Sequence, residues 1–166
     1  MSDFGRLIYR LAFEIKRGKE ELPVLSEDDK RYEKDFIETH IPSLKREFGL
    51  WMNPECQAQK VDKITAEQAA RRCIRDVKVY MFLDLAYGDL APGEQFRHQG
   101  ENMSFIEDNF EEIEKGYRDY LKSVSRDEVT DEGKRLAVKR VINGIKNRKK
   151  DNRRPDGRDE DEEELR

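Results

Sequence analysis

The chain is short of the residues that reactive or crosslinked proteins depend on. It has two cysteines (Cys56 and Cys73), two histidines (His40 and His98) and one tryptophan (Trp51). So few cysteines make no disulfide framework, and a reducing compartment is the simplest expectation. None of these side chains stands in a CxxC, HxxxH or HExxH spacing, so the sequence offers no metal site. GxxxxGK(S/T), GxGxxG and a GxSxG-like elbow are all missing, which removes the common nucleotide and acyl-transfer signatures. No apolar run approaches the ~20 residues that a membrane-spanning helix needs. Arg6 and Arg10 interrupt the N-terminal apolar positions, which argues against a secretory signal. No catalytic residue, cofactor or metal is assigned from the sequence.

What the chain has is charge. Of 166 residues, 42% are charged and 36% hydrophobic, with a net charge of −4. The average hides a segregation. Asp127 to Arg158 is rich in Lys and Arg, and Asp159 to Glu164 is an unbroken acidic run. Such a balance predicts an all-α protein of about five or six helices around a central buried helix, ending in a disordered charged tail. The expected organisation is a helical domain over 1–126, a basic C-terminal helix over 127–150 and a disordered tail over 151–166.

The stretch from Thr65 to Phe96 organises the rest. Thr65 and Gln68 have the spacing of a capping box. Ala70, Cys73, Ile74, Val77, Met81 and Leu85 then recur on one helical stripe. Val79, Phe82, Leu83 and Ala86 cover the other side, so residues 77–87 are expected to be buried nearly all round. Gly88 ends the helix, and Asp89 to Gly93 turns the chain.

Around it, Asp3 to Arg17 predicts a first helix with Phe4, Leu7, Ile8, Leu11, Ala12 and Ile15 as its stripe. Its Arg6, Arg10, Lys16 and Arg17 suit a mitochondrial address or a membrane-surface helix. Asp3 and Glu14 weaken that, and a helix docked on the core is the preferred reading. Ser26 with Asp29 opens a second helix that Ile41-Pro42 interrupts or restarts. Trp51 is expected as a lid over the core or as an interface anchor. Gly93 to Asn102 reads as irregular, anchored by Phe96. Asn102 or Ser104 then caps one amphipathic helix from Phe105 to Val124. A last helix runs from about Thr130 to Lys150, and Gly133 and Gly144 make it marginal unless docked.

Two sets of polar residues invite function. Asp84 projects toward the apolar stripe, with Asp89 just past the helix end. A buried carboxylate there is either a proton-transfer group or, preferably, a structural tie to an N–H or an Arg of another helix. The basic stretch, with Lys139 and Arg140 at its centre, could meet RNA, an anionic lipid surface or an acidic partner. No aromatic residue is interleaved after Tyr120, so no stacking platform for single strands accompanies it.

The order of these features resembles subunit 7, the ubiquinone-binding subunit, of mitochondrial ubiquinol–cytochrome c reductase. Gly49-Leu50 is similar to the Gly-Leu step of that family. Arg71-Arg72 through Asp84-Leu85 is similar to its Arg-rich helix, and Leu90-Ala91-Pro92-Gly93-Glu94-Gln95-Phe96 to its Leu-Pro-Lys-Glu-Gln-Trp. Phe105-Ile106 with the acids that follow is similar to its last segment. Ala91 is an insertion, Gly93 stands for Lys and Phe96 for Trp. The resemblance implies a non-catalytic accessory subunit of respiratory complex III at the mitochondrial inner membrane, peripheral on the matrix side. It implies cytochrome b and the core subunits as partners, with possible anionic lipid head groups. Trp51, Arg71, Arg72, Phe82, Phe96, Lys139 and Arg140 are the expected partner-binding residues. The alternative is a helical RNA- or nucleoprotein-binding or adaptor module that uses the basic C-terminal region.

Overall fold

Helical periodicity is realised along the chain. The computed structural model describes residues 1–15, 21–53 and 64–153. Among these are seven α-helices and no strand: α1 (Asp3–Phe13), α2 (Glu27–Thr39), α3 (Ile41–Met52), α4 (Ala66–Tyr87), α5 (Pro92–Asp108), α6 (Phe110–Ser123) and α7 (Asp131–Arg153). A 3-10 turn, Arg126–Glu128, precedes α7. The chain separates into two compact units, one through Met81 and one from Phe82 on, so both draw residues from α4.

In the first unit the helix starts are chemically marked. Ser2 Oγ accepts from the Gly5 N–H at 3.0 Å, and Ser26 Oγ from the Asp29 N–H at 3.1 Å. Thr65 and Gln68 form the expected reciprocal pair, at 3.1 and 3.0 Å. Each such cap contributes about 1 kcal/mol by satisfying donors the helix leaves over. The core joins Ile8, Tyr9, Leu11 and Ala12 of α1 with Phe36 and Ile37 of α2, Leu44 of α3, and Ala70, Cys73, Ile74 and Val77 of α4. The apolar stripe of α4 therefore faces inward as its spacing requires.

The break between α2 and α3 is made by His40. Its backbone leaves the helical region at φ −119° and ψ 29°, and its Nδ1 lies 2.9 Å from the Phe36 carbonyl oxygen. A carbonyl only accepts, so Nδ1 carries the proton. Pro42 then fits the first turn of α3, where a missing N–H costs nothing.

A charged pair is buried inside this apolar unit. Lys78 Nζ donates to both carboxylate oxygens of Glu33, at 2.9 and 3.0 Å. Both side chains are only 5% exposed. The rings of Tyr32 and Phe36 flank the ammonium at 4.9 and 5.4 Å. The pair ties α2 to α4.

The second unit is built on Phe82, which is fully buried. Its ring meets Phe110 at 5.9 Å and the edge of Tyr117 at 5.4 Å. Ile106 of α5, Ile113 of α6 and Val138, Ile142 and Ile145 of α7 are buried as well. Helices α6 and α7 pack closely: a Cβ at Gly116 would run into Val141, and one at Gly133 into the Tyr120 hydroxyl. Gly133 also donates to Thr130 Oγ1 at 3.0 Å, which caps α7. The docking that α7 needs is thus supplied by α6.

Several sequence expectations are corrected here. Residues 93–102 are helical, because Pro92 presets the first turn and Gln95 Nε2 holds the Leu90 and Gly88 carbonyls at 2.6 and 3.1 Å. Phe96 is no anchor within the unit; it is 82% exposed. The helix foreseen from Phe105 to Val124 is cut at Asn109, and neither Asn102 nor Ser104 caps it. Asn109 repeats the device of His40, with φ −120°, ψ 28° and Nδ2 donating to the Phe105 carbonyl at 2.8 Å. This extra break raises the helix number above the expected five or six. Residues 77–87 are buried or half-buried except for Tyr80 and Asp84, which share a narrow exposed strip. Helix α7 runs on to Arg153, three residues into the expected disordered tail; the remainder of that tail lies outside the described residues, as do Lys16, Arg17 and Cys56.

Removing one member of the buried ion pair strands the other charge away from water. Lys78→Met or Glu33→Leu alone is expected to cost ~3–5 kcal/mol, whereas Glu33→Leu with Lys78→Met costs far less than the sum. Urea unfolding of the four variants of the cycle checks this.

Candidate functional site

Trp51 and Arg72 come together on the first unit. Trp51 is half-buried at the end of α3 and packs on the core. Its Nε1 donates to Asp76 Oδ2 at 2.9 Å, and the exposed Arg72 guanidinium lies 5.1 Å from its ring centroid. Arg71 is half-buried. The tryptophan is therefore a lid over the core with a cationic cover, and Leu50 beside it in sequence is exposed.

In the second unit the expected contact residues have different fates. Phe82 is enclosed in the core and presents nothing to a partner. Phe96 stands in the open on α5. Arg140 is exposed, while Lys139 is half-buried and holds Asp89 Oδ2 at 2.6 Å. That hydrogen bond, with the lysine charge, holds the Asp89 carboxyl below its ordinary range.

The basic helix spends much of its charge inside its own unit. Besides Lys139, Arg135 Nη2 reaches Asp84 Oδ2 at 3.3 Å, and Arg148 Nη2 reaches Glu112 Oε2 at 2.6 Å. Lys146 and Lys149 lie over the Phe105 ring at 5.1 and 5.4 Å. Acids at the end of α4 and on α6 thus meet bases on α7. The spacing of Asp84 and Asp89 against Arg135 and Lys139 was present in the sequence. Nothing local said that these two segments were neighbours.

Asp84 is not buried. Its side chain is 67% exposed, and Arg135 also donates to its backbone carbonyl. An exposed carboxylate paired with Arg is a structural tie, the second of the two readings above. The other reactive candidates are committed to their surroundings too. His98 is exposed beside Glu101, 3.3 Å from Nδ1. Cys73 is buried, and burial pushes its thiol up to about 12, with Asp76 and Glu47 adding to the effect. A thiol so shifted holds almost no thiolate near neutral pH and is a poor nucleophile. No group of three or more His, Cys, Asp or Glu among the described residues could hold a metal ion. The Glu33–Lys78 pair is the polar feature that the sequence reading missed. Its one available signal was that Lys78 falls four residues after Ile74, on the buried side of α4.

Burial also pushes the Tyr117 phenol up to about 12, from an ordinary 10.0. Cys73 starts from 9.0. Both groups are raised on folding, so each contributes stability that is complete below its unfolded value and lost as pH climbs toward its folded one. The unfolding midpoint is expected to fall from about pH 9 to about pH 12, with Tyr117→Phe removing the phenol's share. Denaturant titrations across that range test the sign, and a thiol reagent at pH 8 should reach Cys73 only on unfolding.

No protein-family model matches the chain, no curated protein matches it in sequence, and no solved structure matches it in fold.

Proposed function

We propose that this chain is a non-catalytic helical subunit that acts by binding other proteins. The observation that carries this reading is the set of large apolar side chains left in the open in a chain so rich in charge. Leu50 on α3, Phe96 on α5 and Leu136 on α7 are all exposed helical residues. Trp51 with Arg72 on α3 and α4, and the open Phe96 on α5, are the aromatic and arginine side chains that protein interfaces favour as anchors. The candidate catalytic groups support the same conclusion, each being tied to a neighbour or buried: His40 to a carbonyl, Asp84 to Arg135, Cys73 to the core.

The partner follows from the resemblance set out above. The chain is then an accessory subunit of respiratory complex III, bound to cytochrome b and the core subunits at the matrix face of the mitochondrial inner membrane. Among the described residues no helix is long and apolar enough to cross a membrane, which is compatible with a peripheral position. Trp51, Arg71, Arg72, Phe96, Lys139 and Arg140 remain available to such contacts in whole or part, and Phe82 serves by shaping the unit from within.

Recognition of RNA by the basic region is the weaker reading. Arg135, Lys139 and Arg148 already face carboxylates, so fewer cations are left to displace counterions from a phosphate backbone.

Native purification of the tagged chain from its source is the test. Co-migration with cytochrome b and core subunits, weakened by Arg72→Glu, is the expected result. A chain recovered alone, or one whose steeply salt-dependent RNA affinity is lost on changing Arg140 and Lys150, would refute the assignment.

A further inference from the structure

The lysines that end α7 differ from the cations before them. Arg135, Lys139 and Arg148 each hold a carboxylate of their own unit. Lys146, Lys149 and Lys150 are exposed, and none has a carboxylate partner among the described residues. The three share an arc of about 100° at 3.6 residues per turn. Two of them converge: the Lys146 and Lys149 ammoniums lie 5.1 and 5.4 Å from the centroid of one ring, that of Phe105. A ring face attracts a cation but cancels none of its charge. The helix therefore ends in like charges held close together.

The complementary charge follows in the chain. After Arg153 the sequence runs Arg154-Pro155-Asp156-Gly157-Arg158 and then Asp159 to Glu164, all acids. Pro-Asp-Gly is the residue order of a reverse turn: Pro presets φ at the second position, Asp bonds its own backbone and Gly takes the last place. The reach suffices. The chain from Arg153 to Asp159 extends to about 20 Å, whereas Lys146 lies only about 10 Å back along the helix axis from Arg153. Fully extended, the acidic run covers about 17 Å, more than the ~6 Å of axis between Lys146 and Lys150. Arg154 and Arg158 compete for the nearest acids but leave most of the run unpaired. So short a tether gives the run an effective concentration at the lysines on the order of millimolar.

We propose that Asp159 to Glu164 turns back at Pro155-Asp156-Gly157 and lies along Lys146, Lys149 and Lys150 as the chain's own polyanion. The contact is exposed and spread over many charges, so it is reversible, loose in register and weakened by salt. It makes the end of α7 a self-covered site, which an outside polyanion reaches only by displacing the run. This goes beyond the binding role above and needs none of the respiratory partners.

Zero-length carbodiimide crosslinking of the full chain, read by peptide mass mapping, tests it. The expected result is amide links from carboxylates of 159–164 to the amines of Lys146, Lys149 or Lys150. Their yield should not change with chain concentration over roughly 1 to 100 µM, and should vanish in about 1 M NaCl. In a mixture of isotopically heavy and light chains the links should stay within one chain. The second measurement is affinity for heparin at low salt. Asp→Asn or Glu→Gln at every position from 159 to 164 should raise it at least about fivefold. Adding Lys146→Gln, Lys149→Gln and Lys150→Gln should remove that gain, with helical content unchanged by circular dichroism. Links absent at low salt, or found only between different chains, overturn the proposal. A heparin gain that survives loss of the three lysines also overturns it, because the run then acts through net charge alone.

Discussion

An ammonium and a carboxylate sealed between apolar helices constrain the first unit more tightly than any apolar contact does. Apolar side chains tolerate sliding by a fraction of a turn; a buried charge does not, because losing its partner leaves it desolvated and alone. Lys78 has both carboxylate oxygens of Glu33 within hydrogen-bond reach and two aromatic faces around it. That arrangement fixes the rotation of α4 against α2. The stripe of Ala70, Cys73, Ile74 and Val77 then has one way to face the core, and the Trp51 lid closes over it at the end of α3.

The second unit solves a different problem with the same residue types. Its helices are rich in acid near the end of α4 and on α6, and rich in base along α7. Left apart, each segment would repel itself. Brought together, Asp84, Asp89 and Glu112 face Arg135, Lys139 and Arg148 around the Phe82, Phe110 and Tyr117 rings. The basic region, which in sequence suggested nucleic acid or lipid, is to a large degree the chain's own counter-ion. This shifts the weight of function from charge to the apolar side chains that remain outside.

Much of this was legible in the residues. The caps at Ser26 and Thr65, the stripe of α4 and the restart at Pro42 all depend on neighbours within one or two turns, and the sequence shows those neighbours. The segment 93–102 reads as irregular in sequence, while the stabilising bonds from Gln95 to Gly88 and Leu90 run backward across the turn. The break at Asn109 was missed because asparagine is ambiguous: its amide satisfies a carbonyl that the helix would otherwise use, and only the geometry reveals the choice. The partners of Lys78 and Asp84 lie 45 and 51 residues away, and no periodicity carries information over that separation. Among the expected contact residues, Phe82 was misjudged for a related reason. A phenylalanine on a greasy helix looks the same whether its pocket is built by a neighbouring protein or by helices further down the chain.

The placement of charge also gives ionic strength an unequal grip on the molecule. Mobile ions screen solvent-exposed pairs over about 8 Å at physiological salt and scarcely touch a sealed one. The Asp84–Arg135, Asp89–Lys139 and Glu112–Arg148 contacts are at least partly open to solvent, whereas Glu33 and Lys78 are sealed. Concentrated salt therefore weakens the ionic share of the attachment of α7, whose apolar packing remains, and leaves the tie between α2 and α4 almost untouched.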